Sequence, residues 1–416
     1  MLVGAEYTYI RQHQTALHSP YAGPLSLNPD GDTEPSHTIG VYAGWAPLRW
    51  LQFYLDTEKF MGAGVSGATG LGGLSNGEVV REGAGGLHKT FYIARVYSRI
   101  VIPLSDESIK LERAQDQLPG TEPATHLEFK IGRVAVTDDF DHNRYATSPR
   151  TQFMNWSLWA NTAWDYAANT RGFTDGAVIS YVSPTWSLRY GIYRMPQVAN
   201  SQELEMSLQD AREENLELTL SPYSSGPILR LLAYRNIANM GDYREALAIA
   251  ANTGSVPDIT ANDRAGRRKY GFAINMEQPF ADAGETGLFA RIGWNDGATE
   301  SFAFTEVDRH FSAGGQLSGM HWSRPDDRLA VAWVLEGLST PHREYLAAGG
   351  SGFVLGDGAL DYARENITEI YYRAQFTLFE NVRLQLSPDF QYARNPGYNQ
   401  ARGPVKFWSI RLHLEY

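Results

Sequence analysis

Between Arg133 and Gly172 the chain crowds together charges and rings whose combined chemistry is non-covalent recognition. Asp138, Asp139, Asp141, Arg144, Arg150, Asp165 and Arg171 are interleaved with Tyr145, Phe153, Trp156, Trp159, Trp164 and Tyr166. Such a mixture suits a polyol such as a sugar, whose C–H faces stack on aromatics while its hydroxyls need donors and acceptors. Arg144 and Arg150 flank Tyr145 and follow Asp139 and Asp141, so all three kinds of group lie close together in sequence. A connection of this length without a role is uncommon. The bland alternative is a packed lid of the same composition. Ser148-Pro149 has the chemistry of an N-cap and first helical residue, which predicts a short helix over 149–160. Phe153, Trp156 and Trp159 recur along it at helical spacing, most of them to pack against a wall.

Motifs for other chemistries fail at their most demanding positions. The run Gly349-Gly350-Ser351-Gly352-Phe353-Val354-Leu355-Gly356-Asp357-Gly358 has neither the Lys-Ser/Thr pair nor the β-α setting of a phosphate loop. Asp139, Asp141 and Asn143 match the first ligands of a calcium loop, but Arg144 stands at the Gly position and Arg150 at the closing Glu. No His-Glu-x-x-His pair occurs. No enzyme chemistry, metal or cofactor is therefore expected. With 47 acidic against 36 basic residues the net charge is −11, which argues against nucleic acid as partner. The absence of cysteine removes disulfides and thiolate metal sites.

The elements that must position these residues are strands. Lys406, Trp408, Ile410, Leu412, Leu414 and Tyr416 alternate with Phe407, Ser409, Arg411, His413 and Glu415. Val382, Leu384 and Leu386 alternate likewise with Arg383, Gln385 and Ser387. The pattern places strands near 3–14, 36–46, 50–60, 91–104, 124–134, 172–182, 186–195, 211–221, 227–240, 267–280, 286–295, 309–322, 328–339, 365–378, 382–394 and 405–416. Tight links such as Ala46-Pro47-Leu48-Arg49, Ser183-Pro184-Thr185, Tyr223-Ser224-Ser225-Gly226 and Phe379-Glu380-Asn381 fall at alternate junctions, with long loops at the others. That asymmetry is the signature of a transmembrane barrel with periplasmic turns and outer loops. Strands of about 10–12 residues, tilted near 40°, rise roughly 25–30 Å. The chain thus reads as all-β, one domain over 1–416: an antiparallel up-and-down barrel of about sixteen strands, enough to leave an aqueous channel. The stretch 135–171 is its inward-folded constriction loop, containing the short helix. One periplasmic link, 105–123, is too long for a turn, and Ser105 before Asp106-Glu107 is expected to cap a small helix there.

On the inward strand faces this reading places Arg95, Arg99, Arg189, Arg291, Arg373, Arg383 and Arg411 as pore-lining groups. They face acids including Asp56, Glu58, Glu128, Glu217, Glu369, Asp389 and Glu415. A salt-bridged wet wall is the plain role, and a hydrogen-bond track for a polar solute the functional one. Trp50, Trp186, Trp294, Trp322, Trp408 and Tyr416 are expected at the two interfaces as girdles. No apolar run is long enough for a membrane helix, and MLVGAEYTYI has neither the basic start nor the apolar core of a signal peptide. A leader is accordingly expected to have been removed.

Three stretches are similar to the carbohydrate-selective porins of the OprB type. They are GRVAVTDDFDHNRYATSPRTQFMNWSLWANTAWDYAANTRGFTDGA (132–177), YLAAGGSGFVLGDGALDY (345–362) and NPGYNQARGPVKFWSIRLHLEY (395–416). SPYAGPLSL (19–27) and NIANMGDYREAL (236–247) are weaker echoes. The resemblance implies a sixteen-stranded channel of the bacterial outer membrane that passes glucose and related small carbohydrates by diffusion. It implies that the loop carrying Asp141, Asn143, Arg144, Arg150, Trp156 and Trp164 narrows the pore. The expected surroundings are outer-membrane lipid and lipopolysaccharide, with barrel-assembly machinery during biogenesis. A general porin, or one preferring anions or sugar acids, is the alternative within transport, and the arginine count favours it. A barrel enzyme or an adhesin is the alternative outside transport.

Overall fold

The period-2 alternation folds, in a computed structural model describing residues 1–79, 87–223, 226–303 and 305–416, into a closed antiparallel barrel. Ser224 and Ser225 of one expected turn, and 80–86 of an expected outer loop, lie outside the described residues. The staves are β1 (Leu2–Gln14), β2 (Asp32–Leu48), β3 (Leu51–Gly62) and β4 (Tyr92–Pro103). After a small two-stranded hairpin, β5 (Ser108–Leu111) and β6 (Gly120–Pro123), come β7 (His126–Val134), β8 (Thr174–Val182), β9 (Trp186–Arg194) and β10 (Arg212–Leu220). They are followed by β11 (Ile228–Met240), β12 (Arg264–Ala281), β13 (Thr286–Asn295) and β14 (Arg309–Ser318). The last are β15 (Arg328–Gly337), β16 (Glu365–Phe379), β17 (Val382–Arg394) and β18 (Val405–Glu415). Without β5 and β6, sixteen described strands pair in sequence order, and β1 joins β18 with Glu6 opposite Glu415 and Gln14 opposite Phe407. Closure leaves no edge strand with unpaired backbone groups, which a lipid bilayer demands.

The phase of burial is the reverse of a soluble sandwich. Along β12, Arg267, Lys269, Asn275 and Glu277 are buried, while Tyr270, Phe272, Ile274 and Met276 are exposed. Leu216, Leu288, Val331 and Ile370 are likewise exposed apolar residues within strands. An apolar exterior of this kind belongs against hydrocarbon. Trp50, Trp186, Trp408 and Tyr416 are exposed on it. Trp294 stacks against Phe272, and the Trp322 indole N–H donates to the Tyr372 hydroxyl at 3.0 Å.

Two local expectations are corrected. The link 105–123 forms the β5–β6 hairpin, with Ser108 opposite Pro123 and Leu111 opposite Gly120. Ser105 does not cap a helix: its Oγ accepts from the Thr125 N–H at 3.1 Å and donates to the Glu107 carbonyl, stapling the two legs. The helix expected over 149–160 shrinks to α1 (Trp156–Trp159), capped by the Asn155 side chain. Upstream, the Glu369 carboxylate accepts the Met154 and Asn155 N–H groups at 2.6 and 2.9 Å. The Gln152 side chain takes those of Thr147 and Ser148. These side-chain acceptors compete with a helical ladder and win.

Outer loops 241–263 and 338–364 carry α2 (Tyr243–Thr253) and α3 (Thr340–Ala347), which pack together with the Tyr243 and His342 rings stacked 4.4 Å apart.

Candidate functional site

The long loop after β7 reaches its position by folding down inside the barrel, so its backbone polar groups are buried and need partners. Inward wall residues supply them. Carboxylates of Glu213, Glu217, Glu277 and Glu369 accept N–H groups of Ala167, Asp141, Arg144 and Met154 at 2.6–2.8 Å. Arginines take the carbonyls: Arg291 donates to those of Ala146 and Leu158 at 2.6 and 3.1 Å, and Arg411 to those of Pro149 and Gln152 at 2.8 and 2.6 Å. The charged inner face therefore serves, over much of its area, as a set of ligands for the loop.

The segment 63–79 of a second loop latches onto it. The Trp156 N–H donates to the Leu74 carbonyl and the Gly77 N–H to the Met154 carbonyl, both at 2.9 Å. A Cβ at Gly73 would lie 1.8 Å from Ser157 Oγ, and one at Gly77 would lie 2.4 Å from Trp159 Nε1. Glycine at both positions is what lets the two loops touch. The Gly-rich outer run has a similar use: Glu306 accepts the Val354 and Leu355 N–H groups at 2.8 and 2.7 Å.

Between these loops, β3, β4 and β7, and the β5–β6 hairpin lies a water-accessible cavity of ≈ 560 Å³. Its walls are charged and cross-braced. Arg95 reaches Asp138 at 2.7 Å, and Asp56 and Asp116 at 3.4 Å. Arg99 bridges Glu122 and Glu128 at 2.6 and 2.5 Å, and Lys130 meets Asp139 at 3.0 Å. Arg150 holds three carboxylates: Glu6, Glu58 at 2.9 Å and Glu78 at 3.1 Å. Burial works against the Asp138 carboxylate, but Arg95 outweighs it and lowers its pKa; at Asp139 burial prevails over Lys130 and raises it. The indole of Trp159, stacked on Trp156 at 5.9 Å, and the Tyr166 ring complete the lining. Fixed charges of both signs beside aromatic faces can exchange hydrogen bonds with hydroxyls while a ring face holds a sugar's C–H side.

Of the expected constriction residues, Asp139, Arg150, Trp156 and Arg171 border this cavity. The Arg171 guanidinium lies 4.1 Å over the Tyr92 ring and donates to the His88 carbonyl. Asp141 and Asn143 are buried instead. Asp141 pairs with Arg291 at 3.1 Å, and the Asn143 side-chain amide donates to Asn275 at 2.7 Å. Tyr145 is also buried, its hydroxyl donating to the Gly284 carbonyl at 2.8 Å, and burial pushes it up to about 12. Arg144 is exposed near the same β12–β13 turn, donating to Gly284. Trp164 is 1 % exposed, its N–H donating to Glu213 at 2.9 Å.

The expected pore-lining residues divide similarly. Arg95 and Arg99 face the cavity; Arg291, Arg411, Glu369 and Asp389 are buried. Arg373 donates to the Thr151 carbonyl, Arg189 lies 3.9 Å from Glu217, and Arg383 pairs with Glu415 at 3.2 Å. Glu6, Glu78 and Lys130 emerge as cavity or bracing residues without having been singled out, and Asp138, named only among the loop's charges, emerges as the partner of Arg95. Glu6 and Lys130 sit on the inward phase of their strands, which is a readable signal; Glu78, on an outer loop, has none.

The sequence model of the carbohydrate-selective porin, OprB family, matches residues 52–416. Among solved structures, Pseudomonas putida OprB (a high-pH structure) is similar with TM-score 0.72 at 17% identity, covering 100% of this chain and 94% of that one. An anion-selective porin from Comamonas acidovorans gives TM-score 0.48 at 10% identity, covering 100% and 98%. Salmonella typhi OmpF in complex with daunomycin gives TM-score 0.47 at 10% identity, covering 100% and 97%. No curated protein matches the chain.

Proposed function

The chain belongs to the OprB family of carbohydrate-selective porins and is a bacterial outer-membrane channel rather than an enzyme, and from that premise we propose that it passes monosaccharides and related small carbohydrates by passive diffusion. The observation that carries this reading is the cavity where Arg95, Arg99, Lys130 and Arg150 oppose carboxylates beside Trp159 and Tyr166. Every one of those four cations already holds at least one carboxylate. A sugar acid or other anion would have to displace that carboxylate, whereas a neutral hydroxyl can share a paired ion without separating it. Neutral sugars are therefore favoured over anions despite the arginine count. Such contacts are worth about 0.5–1.5 kcal/mol each, weak enough for release. Lipid and lipopolysaccharide surround the apolar exterior in this reading, and barrel-assembly machinery acts on the chain during biogenesis.

Liposome swelling with purified protein tests this. Glucose should enter faster than a disaccharide, and faster than a sugar acid of similar size. Equal rates for all three, or a faster sugar acid, would overturn the assignment.

A further inference from the structure

A barrel link between adjacent strands needs only a few residues, as Arg49-Trp50 between β2 and β3 demonstrates. The β4–β7 link instead spans 104–125 and folds back into the lumen at the end where both termini lie. Its contacts run inward and sideways. Glu122 pairs with the wall residue Arg99 at 2.6 Å, the Gln115 amide donates to Asp56 at 2.9 Å, and the Leu118 N–H donates to the Tyr54 hydroxyl. Asp116 lies 3.4 Å from the same Arg95 guanidinium that holds Asp138 of the long loop. Arg113 reaches across to the Val3 carbonyl at 2.6 Å, with its guanidinium 5.5 Å over the Tyr416 ring. The hairpin is thus tied to β1, β3, β4 and the end of the chain, and to the constriction through one shared arginine.

Its tip does more than brace the wall. Gln115, Asp116, Gln117 and Leu118 border the ≈ 560 Å³ cavity opposite Asp138, Arg150 and Trp159. That volume falls within the roughly 300–1,000 Å³ of small-molecule sites. We infer that the β5–β6 hairpin is a second selecting layer on the periplasmic side, and that with the long loop it encloses one chamber for a single small, hydroxyl-rich solute. The amide and carboxylate groups of Gln115, Asp116 and Gln117 offer hydroxyls donors and acceptors from below, while the loop offers charges and a ring from above. A solute leaving the constriction must pass the hairpin before reaching the periplasm. The inference rests on the sugar-channel reading for its solute class.

The chain has no cysteine, so a Gln117→Cys variant carries a single thiol. In planar bilayers and liposomes, attaching a bulky maleimide to it should lower conductance and glucose entry severalfold, while the same reagent leaves the wild type unchanged. Replacing 106–123 by a two-residue turn should raise conductance and bring disaccharide entry close to that of glucose. Fully labelled Gln117→Cys channels with unaltered conductance and sugar ranking overturn the inference, whether or not the deletion variant assembles. Wild-type channels that conduct ions but admit no sugar would instead refute the sugar reading, with the conductance of the labelled variant still reporting on the hairpin.

Discussion

Arg150 and Arg291 are both inward arginines, yet they do different work. Arg150 borders the cavity and pairs with Glu6, Glu58 and Glu78. Arg150→Ala should widen the passage and expose those carboxylates, so conductance rises and the reversal potential in a KCl gradient moves toward the cation value. Arg150→Lys should restore little of this, because one ammonium cannot span three carboxylates in the planar geometry of a guanidinium. Arg144→Ala, altering a side chain beside Gly284 and away from the cavity, should leave the ion preference near wild type. Arg291 is fully buried and binds the Asp141 carboxylate together with three loop carbonyls, those of Asp141, Ala146 and Leu158. Its loss strands buried acceptors at about 1–3 kcal/mol each. Arg291→Ala should therefore lower heat resistance on gels and make single-channel currents noisy, since the loop is no longer pinned.

At the scale of elements, the two loops act as one body because Gly73 and Gly77 leave room for their backbones to hydrogen-bond, Gly77 to Met154 and Trp156 to Leu74. Gly73→Ala drives a methyl into Ser157 Oγ, an overpacking that typically costs about 1–3 kcal/mol. It should lower assembly yield, and adding Ser157→Ala should recover most of the loss, because that hydroxyl has no hydrogen-bond partner among the described residues. The outer helices have a pH limit of their own. Burial opposes charge on His342, but Asp308 at 3.0 Å and Glu306 outweigh it and push it up to about 9. Burial also opposes charge on Asp308, and His342 in turn holds that carboxyl down to about 2. A raised histidine contributes fully below its unfolded value of about 6.5 and loses its contribution as pH climbs through the folded value. The depressed Asp308 contributes above about 3.9 and loses its contribution as pH falls toward 2. Amide exchange in α3 should accordingly be slowest between roughly pH 4 and 6.5 after correction for the intrinsic rate, and should quicken from there to pH 9 and beyond. A corrected rate independent of pH across that range would remove the ion pair as the cause.

For the whole molecule, the reversed burial means that lipid and water have exchanged their usual places. Leu216, at the middle of β10, faces outward. Leu216→Arg should cost about 2–4 kcal/mol in denaturant unfolding from vesicles, the price of a charge near the bilayer midplane. The neighbouring inward Glu217 lies in a polar layer with Arg189 and the Asp141 N–H. Glu217→Gln keeps an acceptor there and should shift stability far less. A comparable loss for both substitutions would contradict the assignment of the two faces.

The strands were legible in the amino-acid order because their signal is local. Alternation with period 2 and Gly- or Pro-rich breaks located every stave to within a few residues, and the turn/loop asymmetry identified a membrane barrel. The inward phase of Arg99, Glu369 and Arg411 was legible for the same reason. Whether such a residue meets water was not. Glu369 and Arg411 are covered because the long loop folds down onto them, while Arg95 and Arg99 stay at the cavity. That distinction depends on contacts between residues more than two hundred positions apart, such as Met154 with Glu369. The short reach of α1 and the hairpin at 108–123 were decided in the same way. Ser148-Pro149 and Ser105 are both sound helix starters in isolation, but Glu369 captures the N–H groups near one and the Thr125 leg captures the hydroxyl of the other. Local propensity sets which conformations a segment can adopt, and barrel closure, by bringing distant polar groups to a segment that must bury its backbone, selects among them.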